Sequence, residues 1–214
     1  EELKKRKIEF IEYLTSTTAT RATAGAIGNI VASLADPQSP AKLARCYEVW
    51  RRAWRTEDGD ENGFYRSVPA LLRKCTRVEA FITPRPENDW LADLPQAEVI
   101  REISEETKQL LLDELGLFRE TIRRWHGTTL LPIDQMVLSL SQDLFTDPSD
   151  LALAYKLALM LKQVANDHPD WRLPELSGEL GVIARNERHF IGFSPDDSGF
   201  DPGTHAGKVV VTTM

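Results

Sequence analysis

Two stretches of the chain approach known binding-loop patterns, and the first is a glycine-rich stretch near the C-terminal end. A phosphate loop of the form G-x-x-x-x-G-K-[ST] cradles phosphates with backbone amides, reaches them with a lysine and holds magnesium with a hydroxyl. In Gly203–Val209 only three residues separate the two glycines, and Val209 replaces the hydroxyl. We therefore interpret this stretch as a loop leading into a strand and not as a nucleotide site.

The second stretch, Asp58–Gly63, matches the first half of a calcium-binding loop. Oxygen-bearing side chains alternate along it, and a glycine occupies the sixth position. The twelfth position, which should supply a bidentate glutamate, is Pro69. The loss of that anionic ligand favours a solvated acidic loop over a calcium site.

The remaining chemistry-bearing residues form no recognisable constellation. No pair of histidines has ligand spacing with a carboxylate on one helix face, and no Ser, His and Asp grouping follows a recognisable turn. The carboxylate pairs Glu105–Glu106 and Asp113–Glu114 are expected on solvated helix surfaces. The sequence thus predicts no catalytic residue and no metal site in this chain. The histidines are His126, His168, His189 and His205.

Charge is distributed unevenly between the two parts of the chain. Residues 1–85 carry 15 Lys and Arg against 11 Asp and Glu, whereas residues 86–214 carry 11 against 22. Because the acidic part would repel phosphates, a polyanion such as DNA should contact the N-terminal part. A solvated basic face is the alternative reading of the same residues. The candidate DNA-binding residues are Arg21, Lys42, Arg45, Arg51 and Arg52.

Hydrophobic spacing predicts the helices that would position these side chains. The helix that begins at Ser39-Pro40 should bury Tyr47 and direct Arg51 outward. The most apolar segment, 150–166, is predicted to be the central helix of the domain. Residues 78–83 could form a short strand. Gly127 should end a helix as its C′ residue. Helices are predicted over 3–14, 21–35, 40–54, 68–74, 132–145, 150–166 and 174–186, and over 95–125 as one helix or two broken near Ser104.

The predicted fold class is all-α: an irregular bundle of about seven to nine helices with a short C-terminal extended segment. Residues 1–206 would form the helical domain, with a possible sub-boundary in the proline-rich link at 84–94, and 207–214 would begin a strand. The valine run Val209–Val211 is typical of a strand buried on both faces. Its partner strands are expected outside this chain, so we interpret the chain as part of a larger protein.

Composition also limits the compartment. No apolar run approaches the roughly 18 residues of a membrane span, and no secretory leader is recognised. Cys46 and Cys75 lack paired spacing and are expected in the core, which suits a reducing compartment. The sequence predicts a cytoplasmic protein without a membrane partner.

Several segments resemble those of a UvrD/Rep-like (PcrA-like) superfamily 1 DNA helicase. They are TATRATAGAIG from Thr18, LADPQSPAKL from Leu34, LALAYKLA from Leu151, ELGVIARN from Glu179 and GKVVVTTM from Gly207. The resemblance implies that the helical part corresponds to the family's 2B subdomain, an insertion in the second RecA-like motor domain. It also implies that the final residues, Thr212, Thr213 and Met214, begin helicase motif V (T-M-H-x-x-K-G-L-E).

The resemblance implies a function as well. The parent would be a 3′-to-5′ ATP-dependent DNA helicase active in DNA repair, whose motor binds ATP and Mg²⁺, while this chain would hold no cofactor. We expect a non-catalytic accessory domain that positions or regulates the motor on DNA, with DNA and the remaining motor domains as partners. Relatives contact duplex DNA partly through Gly-Ile-Gly; here Gly25–Gly28 reads Gly-Ala-Ile-Gly and lies earlier in the pattern. The alternative is a helical protein–protein interaction module that does not contact DNA.

Overall fold

Helices make up most of the described part of the chain. The computed structural model describes residues 10–12, 18–52, 64–101, 103–186 and 209–211. Within these ranges it confirms the predicted all-α bundle with an extended C-terminal segment. The helices are α1 (Thr18–Ala35), α2 (Pro40–Arg51), α3 (Phe64–Leu72), α4 (Val78–Ile82), α5 (Trp90–Asp93), α6 (Glu105–Gly127), α7 (Ile133–Leu144), α8 (Pro148–Asp167) and α9 (Leu173–Ala184), with strands β1 (Phe10–Glu12) and β2 (Val209–Val211).

The central helix is α1, which packs against α2, α7, α8 and α9. The prediction that 150–166 would be central is wrong, because α8 leaves Tyr155 and Leu159 exposed. Small side chains on α1 explain its central position, because they let neighbouring helices approach it from several sides. Its buried residues are Thr20, Thr23, Ala24, Ala26, Ile27, Gly28, Ile30, Val31, Ser33 and Leu34.

Two glycines of α1 mark a close helix–helix contact. A Cβ added to Gly28 would lie 3.1 Å from the Cβ of Leu180, and one added to Gly25 would lie 3.5 Å from the Cβ of Ala184. The hydroxyl of Ser177 also donates to the Gly28 carbonyl at 3.3 Å. Glycines that would weaken an isolated helix are retained here because α9 packs directly on the α1 backbone.

Side-chain caps set several helix starts as predicted. The Ser39 hydroxyl accepts from the Lys42 amide, with Pro40 in the first turn of α2. Ser104 caps α6 in the same way. Of the two alternatives for 95–125, the structure has the break near Ser104, but 3₁₀ turns at Leu94–Gln96 and Glu98–Ile100 precede it in place of a second α-helix. The helix ends at Gly127, as predicted, but this glycine is not a C′ residue, because its φ of −60° is helical and the chain continues into a 3₁₀ turn at Thr128–Leu130.

Val78–Ile82 form a helix, so the possible strand over residues 78–83 is wrong. In α4, Val78, Phe81 and Ile82 are buried at the i, i+3, i+4 spacing of one helix face. The ring of Phe81 lies 5.7 Å from Trp90 and 6.1 Å from Phe118, measured between centroids. Helical packing of this aromatic cluster therefore outweighs the local β-propensity of the segment.

The proline-rich link at 84–94 lies against the bundle. Asp89 caps α5 and accepts hydrogen bonds from Arg119 on α6. The hydrogen bonds from Arg119 hold the pKa of Asp89 below its ordinary value. One buried cluster includes residues from both sides of the link, so the hydrophobic core is continuous across it.

The two strands pair in parallel, with Phe10 opposite Val209, Ile11 opposite Val210 and Glu12 opposite Val211. The helix predicted over 3–14 is therefore wrong at residues 10–12. The expectation that every partner of Val209–Val211 lies outside the chain is also wrong, because β1 supplies one. Pairing satisfies backbone donors and acceptors that a lone strand would leave open.

Several predictions lie outside the described residues: the acidic loop at 58–63, the glycine-rich stretch before Val209, the motif V residues 212–214, and His189 and His205. Pro69, the twelfth position of the acidic loop, is buried within α3. Among the helices that the structure describes, none has both the length and the apolar content for crossing a bilayer.

Candidate nucleic-acid interface

The predicted DNA-binding residues fall on α1 and α2, and helix geometry divides them into groups. On α2, Lys42, Arg45 and Arg52 lie within about a quarter turn of one another around the axis. Arg51 lies on a different side of the same helix, four residues after the buried Tyr47. The structure therefore brings three of the five candidates onto one helix face and separates Arg51 from them.

Lys42 and Arg45 are solvent-accessible cations with nearby carboxylates. The Lys42 ammonium lies 3.1 Å from Asp36, in a pair whose side chains are 43% and 49% exposed. A pair this exposed is worth at most about 1 kcal/mol, so a phosphate could compete for the lysine. Arg45 donates to Glu48 at 2.7 Å.

Arg73, which follows α3, joins this group and was not among the sequence candidates. Its guanidinium donates to the second oxygen of Glu48 at 2.7 Å, so Glu48 is held between Arg45 and Arg73. Partial burial opposes ionisation of this carboxyl, but the hydrogen bonds from the two arginines hold its pKa below the ordinary value. The sequence signal that could have identified Arg73 was its position at the end of a predicted helix in the net-positive half of the chain.

We call Lys42, Arg45, Arg52 and Arg73 the α2–α3 basic face. Asp36 and Glu48 are the two carboxylates paired with it. Lys42, Arg45 and Arg73 outnumber these two carboxylates, which suits contact with phosphates, whereas Arg52 lies beside two further carboxylates, Asp147 and Asp150. Cations that pair with phosphates carry no base information, so such a contact would be independent of nucleotide sequence.

Arg52 lies at one end of this face, beside a cleft of about 250 Å³ that also reaches the first turns of α1 and α8. Asp147 and Asp150 line the same cleft. Burial raises the pKa of Asp150, and the negative charge of Asp147 raises it further, while a hydrogen bond from Thr23 lowers it. These carboxylates would weaken the hold of Arg52 on a phosphate.

Arg21 lies in the first turn of α1, next to residues that line the same cleft. Its guanidinium donates to the Thr18 hydroxyl at 3.4 Å and is partly exposed. Arg21 and Arg52 thus lie near one end of the bundle, whereas Lys42, Arg45 and Arg73 lie toward the other end of α2.

Arg51 is part of a buried polar cluster, so the expectation that it faces outward is wrong. Its Nε lies 3.1 Å from Oε1 of Glu114, with the two side chains only 12% and 10% exposed. The guanidinium also lies over the ring of Tyr65, 3.7 Å from the centroid. This position makes Arg51 a poor ligand for an external phosphate.

Glu114, expected on a solvated surface, is the carboxylate at the centre of that cluster. The hydroxyl of Tyr47 donates to its Oε1 at 2.7 Å. Burial raises the pKa of Tyr47, and the hydrogen bond to Glu114 raises it further, so this tyrosine stays protonated. These contacts join α2 to α6, so we assign the cluster a structural role.

The other titratable residues show no catalytic arrangement within the described part of the chain. His168 stacks on Trp171 with centroids 4.3 Å apart, and burial lowers the pKa of His126. Cys46 and Cys75 are buried, as predicted, and burial raises the pKa of Cys46 to about 12, which makes it an unreactive thiol. No group of three or more His, Cys, Asp or Glu side chains there could hold a metal ion.

Comparison with known proteins assigns no family. No protein-family model, curated protein or solved structure matches this chain. The resemblance to superfamily 1 helicases therefore stays a prediction.

Proposed function

We propose that the helical bundle is a non-catalytic accessory domain of an ATP-dependent DNA helicase and positions the motor on DNA. The observation that carries the proposal is the parallel, in-register pairing of β1 with β2. Parallel neighbours require a crossover connection of at least about a dozen residues. Here the connection is residues 13–208, which contain the entire helical domain.

A parallel pair of this kind belongs in a larger sheet. Parallel strands occur almost always in sheets whose two faces are covered by helices, and a two-stranded sheet has little stability of its own. We infer that β1 and β2 are adjacent strands of an α/β domain, and that the helical bundle is inserted between them. This arrangement is the one implied by the resemblance to the 2B subdomain, which interrupts a RecA-like motor domain.

In this proposal ATP and Mg²⁺ bind to the rest of the motor, and the described helices perform no chemical step. The α2–α3 basic face supplies weak, sequence-independent attraction to duplex DNA, with a dissociation constant on the order of 10⁻⁴ to 10⁻⁶ M. Arg51 takes no part, because it pairs with Glu114. The location is cytoplasmic, which suits the buried free thiols of Cys46 and Cys75.

Fluorescence anisotropy with a labelled duplex, repeated at rising salt, tests the DNA contact. We expect measurable binding at low salt that weakens steeply as salt is added, because counterions released from the DNA must be taken up again. The double variant Arg45→Glu/Arg73→Glu should bind at least about tenfold more weakly and show a shallower salt dependence. Arg101→Glu/Arg123→Glu, which makes the same change in net charge at two exposed sites outside the basic face, is the matched control.

A lack of binding at low salt would contradict the DNA contact, and so would equal losses for the double variant and the control. Circular dichroism of each variant must show retained helix content, since Arg45 and Arg73 both pair with Glu48. A lack of DNA binding by the folded protein would favour the second candidate function, a helical module that binds proteins without DNA.

One observation favours this second candidate: large apolar side chains project from the bundle into solvent. Leu130, in the turn between α6 and α7, is almost fully exposed, and Leu110 and Leu117 are exposed on α6. Leu110 and Leu117 lie on one face of α6, about 10 Å apart along its axis, and a contiguous exposed apolar patch often marks an interface with another protein. Under this alternative, the Arg45→Glu/Arg73→Glu variant would keep its partner, whereas apolar surface variants would lose it.

A further inference from the structure

Glu48 on α2 lies between two arginines that come from different parts of the chain. Arg45, about one turn earlier on α2, donates from Nη1 to Oε2 of Glu48 at 2.7 Å. Arg73, in the turn that follows α3, donates from Nη2 to Oε1 at 2.7 Å. Within the described residues, neither guanidinium donates to any other group. One carboxylate therefore engages both arginines, and each arginine uses only one of its nitrogens for it.

Two arginines converging on one carboxylate have the arrangement of an anion site. Their guanidinium groups offer the charge-assisted donors with which proteins hold a phosphate. Without an anion between them, the two cations would repel each other. The arginine side chains are 55% and 50% exposed, whereas that of Glu48 is only 19% exposed. A phosphate that approaches from solvent therefore meets the remaining N–H groups of Arg45 and Arg73 before it meets the carboxylate.

Glu48 competes with such a phosphate for the same donors. Partial burial opposes its ionisation, but the hydrogen bonds from Arg45 and Arg73 hold its pKa below the ordinary value, so the competing charge is present at neutral pH. An exposed ion pair shifts an equilibrium by up to about fivefold. The charge of Glu48 also repels a phosphate within a Debye length, which is about 10 Å at 0.1 M salt. Both effects lower the affinity of the two arginines for DNA.

We propose that Glu48 is a built-in competitor for DNA phosphates at the α2–α3 basic face. In the free protein its carboxylate engages Arg45 and Arg73, and in the complex a phosphate takes over donors of both arginines. The inference rests on the proposed DNA contact and identifies the residue that keeps this contact weak. Asp36 should have a smaller effect, because it pairs only with Lys42 and both side chains of that pair are close to half exposed.

Glu48→Gln tests the proposal because it removes the charge and keeps the shape of the side chain. Binding of a fluorescently labelled duplex is measured by anisotropy at about 50 mM salt, where non-specific contacts are strong. Glu48→Gln should bind at least about fivefold more tightly than the unchanged protein, the scale of one released ion pair. Glu120→Gln, the same change at an exposed site on α6 outside the basic face, is the matched control and should change the affinity by less than about twofold.

The variant Arg73→Gln, made in both backgrounds, separates competition from a general effect of charge. If Glu48 engages Arg73, this arginine contributes more to DNA binding once the carboxylate is gone. Arg73→Gln should therefore weaken binding by a larger factor in the Glu48→Gln background than in the unchanged protein. A long-range effect of charge predicts equal factors in the two backgrounds, because independent sites are additive. Circular dichroism of each variant must show retained helix content.

The unchanged protein provides a test that needs no variant. Carbon-13 NMR observes the side-chain carboxyl group of Glu48 directly. Adding duplex should shift this signal together with the guanidinium nitrogen signals of Arg45 and Arg73, because hydrogen bonds to the carboxylate are exchanged for hydrogen bonds to phosphate.

The possible outcomes separate the competitor from the DNA contact. If the unchanged protein binds duplex but Glu48→Gln binds no more tightly than Glu120→Gln, the competitor is excluded and the DNA contact stands. Weaker binding by Glu48→Gln would overturn the proposal by making Glu48 a residue that positions the two arginines. Equal factors for Arg73→Gln, or a Glu48 carboxyl signal that stays in place on saturation with duplex, would also exclude competition. If neither the unchanged protein nor Glu48→Gln binds duplex at low salt, the DNA contact and the competitor both fail.

Discussion

Removing the charge of Arg51 should destabilise the fold without weakening DNA binding. The Arg51→Met variant keeps the apolar stem of the side chain but leaves Glu114 without the cation that lies 3.1 Å from its Oε1. Breaking a buried ion pair by removing one partner costs about 3 to 5 kcal/mol. The hydrogen bond from Tyr47 remains, so we expect the lower end of that range, about 3 kcal/mol.

Urea unfolding followed by circular dichroism measures this loss as a fall in the midpoint at constant slope. The companion variant Arg51→Met/Glu114→Gln should be more stable than Arg51→Met alone, because glutamine removes the unpaired charge while its carbonyl oxygen can still accept from Tyr47. Duplex affinity of the folded Arg51→Met variant should equal that of the unchanged protein. A loss of stability under about 0.5 kcal/mol, the usual scale of a surface substitution, would refute the buried ion pair. A selective loss of DNA binding would refute the assignment of Arg51 to the interior.

Three further predictions concern packing and titration. Gly28→Ala should destabilise the protein by about 1 to 3 kcal/mol in urea unfolding, because the new methyl group would meet α9. Gly178→Ala, whose methyl group would enter open space, should stabilise it by up to about 1 kcal/mol. Equal effects of the two variants would contradict the close contact between α1 and α9. Leu157→Ala should lower the free energy of unfolding by about 2 to 5 kcal/mol, and the exposed Leu159→Ala by under about 0.5 kcal/mol. A larger loss for Leu159→Ala would contradict the assignment of the Leu157 face of α8 to the core. Burial lowers the pKa of His126, so the unfolded chain binds more protons and stability should decline as the pH falls below about 6.5. Unfolding midpoints between pH 7 and 5 should change less in His126→Gln than in the unchanged protein. Identical pH profiles would exclude His126 as a cause of the pH dependence.

Local signals predicted the helices well where caps and apolar spacing agreed. Ser39 before Pro40 proved to be the predicted cap, and the long helix begins after Ser104, where a break was one of the two alternatives. The spacing of Ile133, Met136, Val137, Leu140 and Leu144 placed one face of α7 correctly in the core. These features depend on residues within one or two turns of each other, which a single sequence contains in full.

The buried polar cluster was missed because it joins residues far apart in the chain. Glu114 lies among Leu111, Leu115 and Phe118 on the apolar stripe of α6, and this position was the available sign that it is buried. Arg51 likewise follows the buried Tyr47 by four residues. Counting these residues as charges, without their angle around the helix, led to the wrong expectation for both.

Tertiary contacts also explain the other errors. Apolar content favours the leucines of α8 as the central helix, whereas close packing favours the small residues of α1. Strand pairing is non-local, so nothing near Val210 in the sequence indicates that Ile11 is its partner.

The central claim is that the helical domain is inserted between neighbouring parallel strands, and nuclear Overhauser effects between the strands test it most directly. In isotope-labelled protein we expect contacts between backbone protons of Ile11 and Val210 and of their flanking pairs, in the register of a parallel ladder. Contacts of Val209–Val211 with a different segment, or helical contacts across residues 10–12, would contradict the insertion.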